Sequence, residues 1–492
     1  MDGSDTILSI TIHLVEKPDQ GVVINVDSCG ANPFDDLPDS NAIQTCLNQA
    51  CTGDTVQFTS GRDDPEYTGY LIDKTIQLVF PYVKSDLTYE STEFDNHALL
   101  QATADLKGFV VRLYPRFYIN SAGLIDNITF HHLDIDGNRA ERTCTGEKLP
   151  DQERAASDGI NDNAGSWLND CTEDHIDDSY CLPGSLSLGG GIDADDPYQD
   201  YITNPDVWTT NFVVQDVVIS NTECGTAFGF SGAGFLIDSV TIDVAGEHTH
   251  APGCQLEDND GDPVGAWADG MTFIGPDHKI TNNLVMDASD IGITYFGGRN
   301  VLISNNTVMA RSGNHGMFGG IAVGPNTLGD IGGLEISNNQ VINEADPTCG
   351  GIHGGIILGV HTWANGCMGH PSGATYGTAD ECSNFSPPPN GALCDTTTFC
   401  RTWGHIPEGD ILTLKDNRVR GTQIGYIIGG LDVLGELDIS GNEVENLHLV
   451  DWEDDRYCEW DPGIGYSWGV IDFVAFNPSF EDWVEQLIFC MR

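Results

Sequence analysis

A short motif built on a pair of asparagines occurs three times between residues 278 and 341. The copies read ITNNLV, ISNNTV and ISNNQV, and their second asparagines are Asn283, Asn306 and Asn339, spaced by 23 and then 33 residues. Glycine-punctuated apolar runs, GITYFGG and GGIAVG, separate the copies. Strand-like units that recur every 20–50 residues or so, with no helical period, are typical of solenoids. The repeat therefore predicts an all-β chain wound as a right-handed parallel β-helix.

The asparagines fit the corners of such a coil. Asparagine tolerates the left-handed backbone conformation, and its side chain bonds locally. Identical amides stacked coil upon coil can also hydrogen-bond to one another as a ladder. Asn417 and Asn442 repeat the pattern 25 residues apart, and Asn127 in LIDNITF fits the same scheme. We expect all of these side chains to stack.

The rest of the chain is predicted to complete one β-helix domain over residues 1–492. Residues 1–60 form the N-terminal cap and first strands, and the stretch DSNAIQTCLNQA (39–50) places apolar residues on one face of a capping helix. Residues 138–210 and 344–410 break the coil pattern and are predicted to be two large loop insertions. Residues 451–492 are predicted to close the other end as a C-terminal cap.

The chain is strongly acidic. Lys and Arg total 20 against 75 Asp and Glu, which gives a formal net charge of −55. Such a charge argues against nucleic acid and anionic membrane surfaces as partners, since both would be repelled. It also disfavours an anionic polymer unless cations intervene. Salt adaptation and calcium loading both explain the acidic excess. No apolar run reaches the length of a membrane span.

Fifteen cysteines indicate disulfides and an oxidising compartment. Local pairs suggest the partners: Cys29 with Cys46 or Cys51, Cys171 with Cys181, Cys349 with Cys367, and Cys394 with Cys400. No Cys-x-x-Cys appears, which argues against a cysteine-held zinc ion. We therefore expect a protein that is secreted or on the cell surface. The opening DGSD and the alternating ILSITIHLV are unlike a signal peptide, so a leader is expected to be missing from the sequence.

Titratable residues precede several of the predicted strands. Aligning the coils on their asparagine corners aligns ADGMTFIG, SDIGITYFG, HGMFGGIAVG, IHGGIILG and TQIGYIIGG. Equivalent positions in stacked coils lie about 4.8 Å apart and form a column. The aligned positions are Asp269, Asp290, His315, His353 and Gln423. Glycosidic cleavage needs one protonated and one ionised carboxyl, and close spacing separates the pKa values of two carboxyls.

Each member of this column also has a structural explanation. Asp269-Gly270 is a frequent turn dipeptide, Asp290 could accept backbone N–H groups, and His315 could be an exposed turn residue. A stacked pair of acids, however, costs electrostatic energy that a purely structural coil has no reason to retain. The set as a whole therefore favours a catalytic role for Asp269 and Asp290, with His315 assisting.

The order of these motifs resembles the polygalacturonase-type glycoside hydrolases of the pectin-lyase-like β-helix class. Those enzymes carry Asn-Thr-Asp, Asp-Asp and Gly-His-Gly on successive coils, and the resemblance assigns these roles to Asp269, Asp290 and His315. It implies inverting hydrolysis of a uronic-acid or related polysaccharide. This chain departs from the pattern at Trp267-Ala268, at Ser289 and at Asn314, and GGLEISNN stands where an Arg-x-Lys motif is expected.

Further residues are predicted to bind the polysaccharide. Trp267 and Trp363 offer aromatic faces for stacking on sugars. His353, Gln423, Arg299 and Tyr295 supply polar groups near the same strands. The principal expectation is thus a secreted glycoside hydrolase that acts on a polysaccharide and requires no cofactor.

Two other functions remain open. A polysaccharide lyase or epimerase would take its base from the histidine, arginine or tyrosine candidates and would use calcium to neutralise a carboxylate. Asp258, Asp260 and Asp262 place oxygens at alternate positions of a loop, as calcium prefers, although solvated acidic turns explain them too. The third reading is a non-catalytic glycan-binding, adhesive or fibre-forming surface protein.

Overall fold

Parallel strands account for more than half of the residues that the computed structural model of this chain describes. The structure describes residues 21–78, 85–104, 106, 109–113, 125–138, 186–189, 210–222, 226–246, 268–311, 316–328, 331–345, 351–359, 405–422, 424–429, 432–433, 435–446 and 473–475. Within these ranges there is one α-helix, Ser40–Gln49, preceded by a short 3₁₀ helix, Val26–Cys29.

The first sheet contains 19 strands among the described residues, all paired in parallel. They are Val23–Asn25, Thr55–Phe58, Tyr70–Ile72, Leu87–Ser91, Ala98–Ala102, Ile128–His131, Leu133–Asp136, Val213–Thr222, Leu236–Ala245, Lys279–Thr281, Leu284–Ala288, Leu302–Ser304, Thr307–Ala310, Glu335–Ser337, Gln340–Asn343, Ile411–Lys415, Arg418–Arg420, Glu436–Ser440 and Glu443–Glu445.

The second sheet contains ten described strands, nine of them parallel. They are Ile76–Gln77, Val111–Arg112, Leu186–Gly189, Phe228–Ser231, Met271–Ile274, Ile291–Gly297, Gly316–Leu328, Gly351–Gly359, Ile424–Gly429 and the antiparallel Phe473–Ala475. A separate pair joins His405–Ile406 to Asp432–Val433. Two second-sheet strands, Leu186–Gly189 and Gly351–Gly359, fall inside the ranges predicted as insertions; the single-domain division remains a prediction.

Most coils contribute two short strands to the first sheet, separated by a bend, and one strand to the second. In two coils a single long strand, Val213–Thr222 or Leu236–Ala245, takes the place of the two short ones. Lys279–Thr281 pairs with Leu302–Ser304 and Leu284–Ala288 pairs with Thr307–Ala310, so successive coils stack in register. Connections between parallel strands are right-handed in nearly all proteins. The predicted right-handed parallel β-helix is confirmed. Its interior is lined by apolar residues such as Val285, Ile303 and Phe273, each fully buried.

The predicted ladder exists, and it runs through five asparagines: 283, 306, 339, 417 and 442. The Asn283 amide donates to Oδ1 of Asn306 (2.8 Å), and the Asn306 amide donates to Oδ1 of Asn339 (2.9 Å). In the same way, the Asn339 amide donates to Oδ1 of Asn417 (2.9 Å), and the Asn417 amide donates to Oδ1 of Asn442 (3.0 Å). Each of these amides also reaches a backbone carbonyl, as Asn306 does with Ile280 (2.9 Å). Every rung of the ladder is therefore hydrogen-bonded although it is buried.

The left-handed backbone conformation belongs to the first asparagine of each pair. Asn282, Asn305 and Asn338 have φ of 58°, 58° and 56° at the bend. The ladder residues that follow them do not need that conformation. Asn127 is a correction to the predicted ladder: it has φ 55° and donates to Oδ1 of Asp86 (2.7 Å) at a different corner of the coil.

A column of glycines lets the second sheet approach the first. Gly292 is paired through its strand with Gly320 and Gly320 with Gly355. A Cβ on Gly292 would lie 2.3 Å from Val308 Cγ1, and one on Gly320 would lie 2.5 Å from Val341 Cγ1. These valines form their own column in the first sheet. The glycines noted in the sequence as strand punctuation thus have a packing role.

Substituting Gly320→Ala is expected to lower the free energy of unfolding by about 1–3 kcal/mol, the usual range for overpacking. The new methyl group would also lie 2.6 Å from the carbonyl oxygen of Gly355, which is backbone and cannot rotate away. Gly319→Ala is the matched control, because its methyl group would meet only the end of the Ile357 side chain, at 2.9 Å. Denaturant unfolding of both variants tests this, and equal stabilities would contradict it.

The N-terminal helix lies within the predicted range 39–50. Ser40–Gln49 buries Ile43, Cys46 and Leu47 against the first coils; its role as a cap remains a prediction. Cys46 forms a disulfide with Cys29, and Cys51 is exposed and outside any disulfide. The other predicted cysteine pairs lie outside the described residues. No helix in the described part of the chain is long and apolar enough to cross a membrane.

Candidate active site

Asp269 and Asp290 lie where successive coils pass from the first sheet into the second. Asp269 precedes strand Met271–Ile274, and Asp290 precedes Ile291–Gly297. These two strands pair in parallel, with Met271 opposite Ile293. The two acids therefore lie at the same edge of the second sheet, on neighbouring coils.

The Asp269 carboxyl is held by groups from both coils. The hydroxyl of Thr272 donates to its Oδ2 (2.5 Å), and the backbone N–H of Ile291 donates to its Oδ1 (3.1 Å). Thr294, opposite Thr272 on the next coil, has a fully buried hydroxyl close enough to lower the pKa of Asp269, yet it makes no hydrogen bond of good geometry. The carboxyl is thus fixed in place directly beside the backbone that carries Asp290.

Ser289 fixes the relative position of the two acids. Its hydroxyl accepts the N–H of Ala268 at 2.8 Å, and the N–H of Asp290 donates to the carbonyl of Ala268 at 3.1 Å. Ser289 stands where the polygalacturonase-type pattern has a second acid. In this chain the position serves to join the two coils.

Burial changes the acidity of both carboxyls. Asp269 is 1% exposed and Asp290 is 3% exposed. Desolvation raises the pKa of Asp290 to about 7. Desolvation, and then the neighbouring charge of Asp290, raise the pKa of Asp269 well above its ordinary value. Two carboxyls in such an environment cannot both ionise near neutral pH, so the pair retains a proton.

A pair of neighbouring carboxyls that retains one proton provides an acid and a base in one place. One carboxyl can donate a proton to a leaving group while the other, ionised, acts as base or nucleophile. The donors to Asp269, Thr272 and the Ile291 N–H, lower its pKa, but burial and the charge of Asp290 outweigh them, so Asp269 is the member of the pair that keeps the proton. The arrangement therefore has the components of the acid/base chemistry that the sequence predicted for these two residues.

The alignment of the other column positions differs from the prediction. Ile291 pairs with Gly319, which places Asp290 opposite Phe318, and the N–H of Phe318 donates to the carbonyl of Asp290 (2.7 Å). Asp269 lies opposite Ile291, one residue out of the predicted register. Continuing the pairing places His353 opposite Phe318. His315 lies three residues before that position.

Tyr295 and Arg299 do not lie beside the acids. Tyr295 is fully buried in the core, where its ring stacks on Phe273 at 4.9 Å and its hydroxyl donates to the Gly298 carbonyl. Arg299 follows the seven-residue strand Ile291–Gly297, which spans roughly 23 Å at about 3.3 Å per residue, and pairs with Asp410. The predicted substrate contact of Tyr295 is corrected, because the ring packs inside the coil. Arg299 lies at the far end of the strand from the acids, and its substrate contact remains a prediction.

The remaining predicted site residues lie outside the described residues. They are His315, Gln423, Trp267, Trp363 and the candidate calcium ligands Asp258, Asp260 and Asp262, together with the side chain of His353. Their roles remain predictions.

The threonines beside Asp269 were missed by the sequence analysis. Thr272 and Thr294 are fully buried and paired in register, and the Thr272 hydroxyl also lies 3.3 Å from that of Thr226 on the preceding coil. A hydroxyl residue three or four positions after each acid, in ADGMT and SDIGIT, was the available signal.

No protein-family model matches this chain, and no curated protein matches it. Solved structures that resemble it include the surface adhesin PfbA of Streptococcus pneumoniae, with 12% identity over 86% of this chain and 92% of that one and a TM-score of 0.38. A polygalacturonase from Erwinia carotovora has 14% identity, covers 90% and 99%, and has a TM-score of 0.33. An endo-xylogalacturonan hydrolase from Aspergillus tubingensis has 12% identity, covers 86% and 92%, and has a TM-score of 0.37.

Likeness at this level concerns the fold and not the activity. The strand pairings described above establish the coil on their own, and the matched structures include both hydrolases and an adhesin. The chain is a right-handed parallel β-helix protein in fold, and its function has to be argued from its own residues.

Proposed function

We propose that this protein is a glycoside hydrolase that cleaves a polysaccharide with Asp269 and Asp290 as its acid/base pair. The observation that carries the proposal is the burial of two neighbouring carboxyls at one edge of the second sheet, with the pKa of both raised. Such a pair lowers the stability of a fold, which makes a functional reason for keeping it more plausible than a structural one.

The pKa shifts suggest how the roles divide during the reaction. Asp269, whose pKa is raised well above its ordinary value by burial and then by the charge of Asp290, would supply the proton to the leaving oxygen. Asp290, with its pKa raised to about 7 by burial, ionises more readily and would act as base or nucleophile. The predicted assistance from His315 is part of the proposal.

The charge of the chain bears on the substrate. With a formal net charge of −55, the protein repels an anionic polymer over long distances. A neutral polysaccharide, or an anionic one bridged by cations such as calcium, fits this surface better. The Cys29–Cys46 disulfide agrees with an oxidising compartment, so we propose that the protein acts outside the cell.

The enclosure of the pair favours a second candidate function. Asp269 and Asp290 are 1% and 3% exposed, so a substrate reaches them only if the groups that cover them move aside. A non-catalytic solenoid that binds glycans on its outer faces needs no such opening. Adhesion or glycan binding without catalysis is therefore the alternative function.

Substituting Asp269→Asn or Asp290→Asn is expected to reduce the release of reducing sugar ends by about 10²–10⁴-fold, the usual contribution of a general acid or base. The assay uses a broad panel of neutral and acidic polysaccharides, with and without calcium. Asp277→Asn is the matched control: Asp277 is exposed at the other end of strand Met271–Ile274, and asparagine tolerates its φ of 61°.

Three results would decide between the functions. Loss of activity in both site variants but not in Asp277→Asn supports the hydrolase. Formation of an unsaturated uronate would instead indicate elimination by a lyase. If the wild-type protein releases nothing but is retained by an immobilised glycan, the binding function replaces the proposal.

A further inference from the structure

Two histidines and an aspartate form a column on the outside of the first sheet, remote in sequence from the acid pair. Ala98 pairs with Leu133, and Val218 with Asp134. The residues one step earlier at the bend, His97 and His132, therefore occupy equivalent positions on neighbouring coils, and Asp216 occupies that position on the coil after them.

The backbone at the bend directs these side chains outward. His132 and Asp216 have φ of 54° and 52°, the left-handed conformation that separates the two first-sheet strands of a coil. The following residues, Leu133 and Val217, point into the core and are fully buried. The imidazoles and the carboxylate are consequently only partly buried: the side chains of His97, His132 and Asp216 are 14%, 19% and 50% exposed.

The donor atoms of the three side chains converge on one small volume. Nδ1 of His132 lies 3.0 Å from Oδ2 of Asp216, and Nε2 of His97 lies 3.6 Å from the same oxygen. The second distance is too long for a hydrogen bond. Ligands at about 2.0–2.2 Å from a tetrahedral zinc ion are about 3.4 Å apart, between these two values. All three ligand atoms lie within 4.8 Å of one another, and a small adjustment would bring them around one ion.

A second layer of contacts orients His97. Its Nδ1 lies 2.9 Å from Oδ1 of Asp134, which is 5% exposed, and the other oxygen of Asp134 pairs with Arg62 at 2.7 Å. A hydrogen bond from Nδ1 to a carboxylate leaves Nε2 free as the ligand atom, as in the carboxylate–histidine pairs that support zinc sites. Asp134 would thus act as a positioning residue for His97.

We propose that His97, His132 and Asp216 bind a divalent cation of the zinc class, which joins three successive coils on the outer surface of the β-helix. Two imidazoles and one carboxylate suit zinc, and the half-exposed side of Asp216 leaves the fourth position open for water or an external ligand. The site is independent of the proposed hydrolase activity, because neither acid of the pair contributes to it.

The proposal is tested on the full chain after treatment with a chelator. Zinc is titrated by calorimetry, and Co²⁺ is used as a spectroscopic probe because its visible absorption reports tetrahedral nitrogen and oxygen ligands. We expect His97→Ala, His132→Ala and Asp216→Asn each to lose one equivalent of tightly bound metal. Zinc should also raise the unfolding midpoint of the wild type but not that of these variants.

His131→Ala is the matched control. His131 is the immediate neighbour of His132, but its Nε2 lies 3.0 Å from Glu90 and outside the trio. It should retain the wild-type stoichiometry. Asp134→Asn should keep the site but weaken zinc binding by about 10–100-fold, the usual effect of losing such a support. Far-UV circular dichroism of each variant excludes loss of folding as the cause.

Two results would overturn the proposal. In one, the three ligand variants bind as much metal as the wild type. In the other, His131→Ala loses the same equivalent as His132→Ala. Either would mean that the three side chains form hydrogen bonds and ion pairs among themselves and bind no metal.

Discussion

The Asp290→Asn variant is expected to be more stable than the wild-type protein at pH 8, by on the order of a few kcal/mol, while being inactive in the proposed reaction. The wild-type carboxyl must either keep a proton or ionise in a site where it is 3% exposed and beside Asp269. An amide of nearly the same shape avoids that cost. Residues retained against stability in this way are typical of functional sites.

The pH dependence of this difference in stability follows from the direction in which the pKa of Asp290 is shifted. The pKa of Asp290 is raised from 3.8 in the unfolded chain to about 7 in the folded one. Between these values the folded protein holds a proton that the unfolded chain has released, so stability falls as pH rises. The loss of stability caused by burying Asp290 is fully present above about pH 7 and vanishes below about pH 4. The advantage of Asp290→Asn should therefore grow as the pH rises from about 4 to about 7.

Other groups also make stability depend on pH, so the comparison is between variants. His278 is fully buried with its pKa lowered to about 4, and its effect has the opposite sign. The net charge of −55 adds general repulsion as pH rises. Both contributions cancel when Asp290→Asn is compared with the wild type by chemical denaturation at each pH. Parallel stability curves for the two proteins would contradict the expected burial of an ionisable pair, and Asp277→Asn should give a curve parallel to the wild type.

The second large effect is expected from Asn306→Leu, in the middle of the asparagine ladder. The substitution removes the acceptor for the N–H and amide of Asn283, and the donor to Asn339 and to the Ile280 carbonyl. Each buried group left without a partner costs about 1–3 kcal/mol. We expect the free energy of unfolding to fall by at least about 3 kcal/mol, measured by denaturant unfolding at constant pH.

Asn305→Gly serves as the control for this substitution. Asn305 is adjacent, exposed, and has φ 58°, a conformation that glycine adopts without strain. It should change stability by less than about 1 kcal/mol. If Asn306→Leu and Asn305→Gly proved equally stable, the ladder would not contribute to the fold in the way its hydrogen bonds indicate.

The repeat in the sequence was sufficient to predict the coil and its ladder. Both follow from local chemistry: asparagine tolerates the bend, and an amide can both donate and accept between identical neighbours. Assigning each asparagine to its role required coordinates. The first of each pair adopts the left-handed conformation at the bend, and the second forms the hydrogen bonds of the ladder. Asn127 was placed in the ladder wrongly, because the sequence alone does not distinguish an asparagine at a left-handed corner from one at a ladder position.

The candidate site was less predictable. Asp269 and Asp290 were expected as neighbours and are neighbours, but their enclosure depends on what packs over the outer face of the second sheet, which periodicity does not report. Tyr295 was misassigned because its hydroxyl suggested a polar role, whereas the strand alternation carries the ring into the core. His132 and Asp216 were missed because 84 residues separate positions that stack directly.

The most direct test of the central claim is to measure the protonation of the acid pair in the native protein by infrared spectroscopy at pH 6. Exposed carboxyls, with ordinary pKa values near 4, are ionised at that pH. We expect a carboxylic-acid C=O band that is stronger in the wild type than in the Asp269→Asn/Asp290→Asn double variant; buried Asp39, whose pKa is raised to about 6 by burial, adds to this band in both proteins. A band of equal strength in the two proteins would contradict the protonated pair.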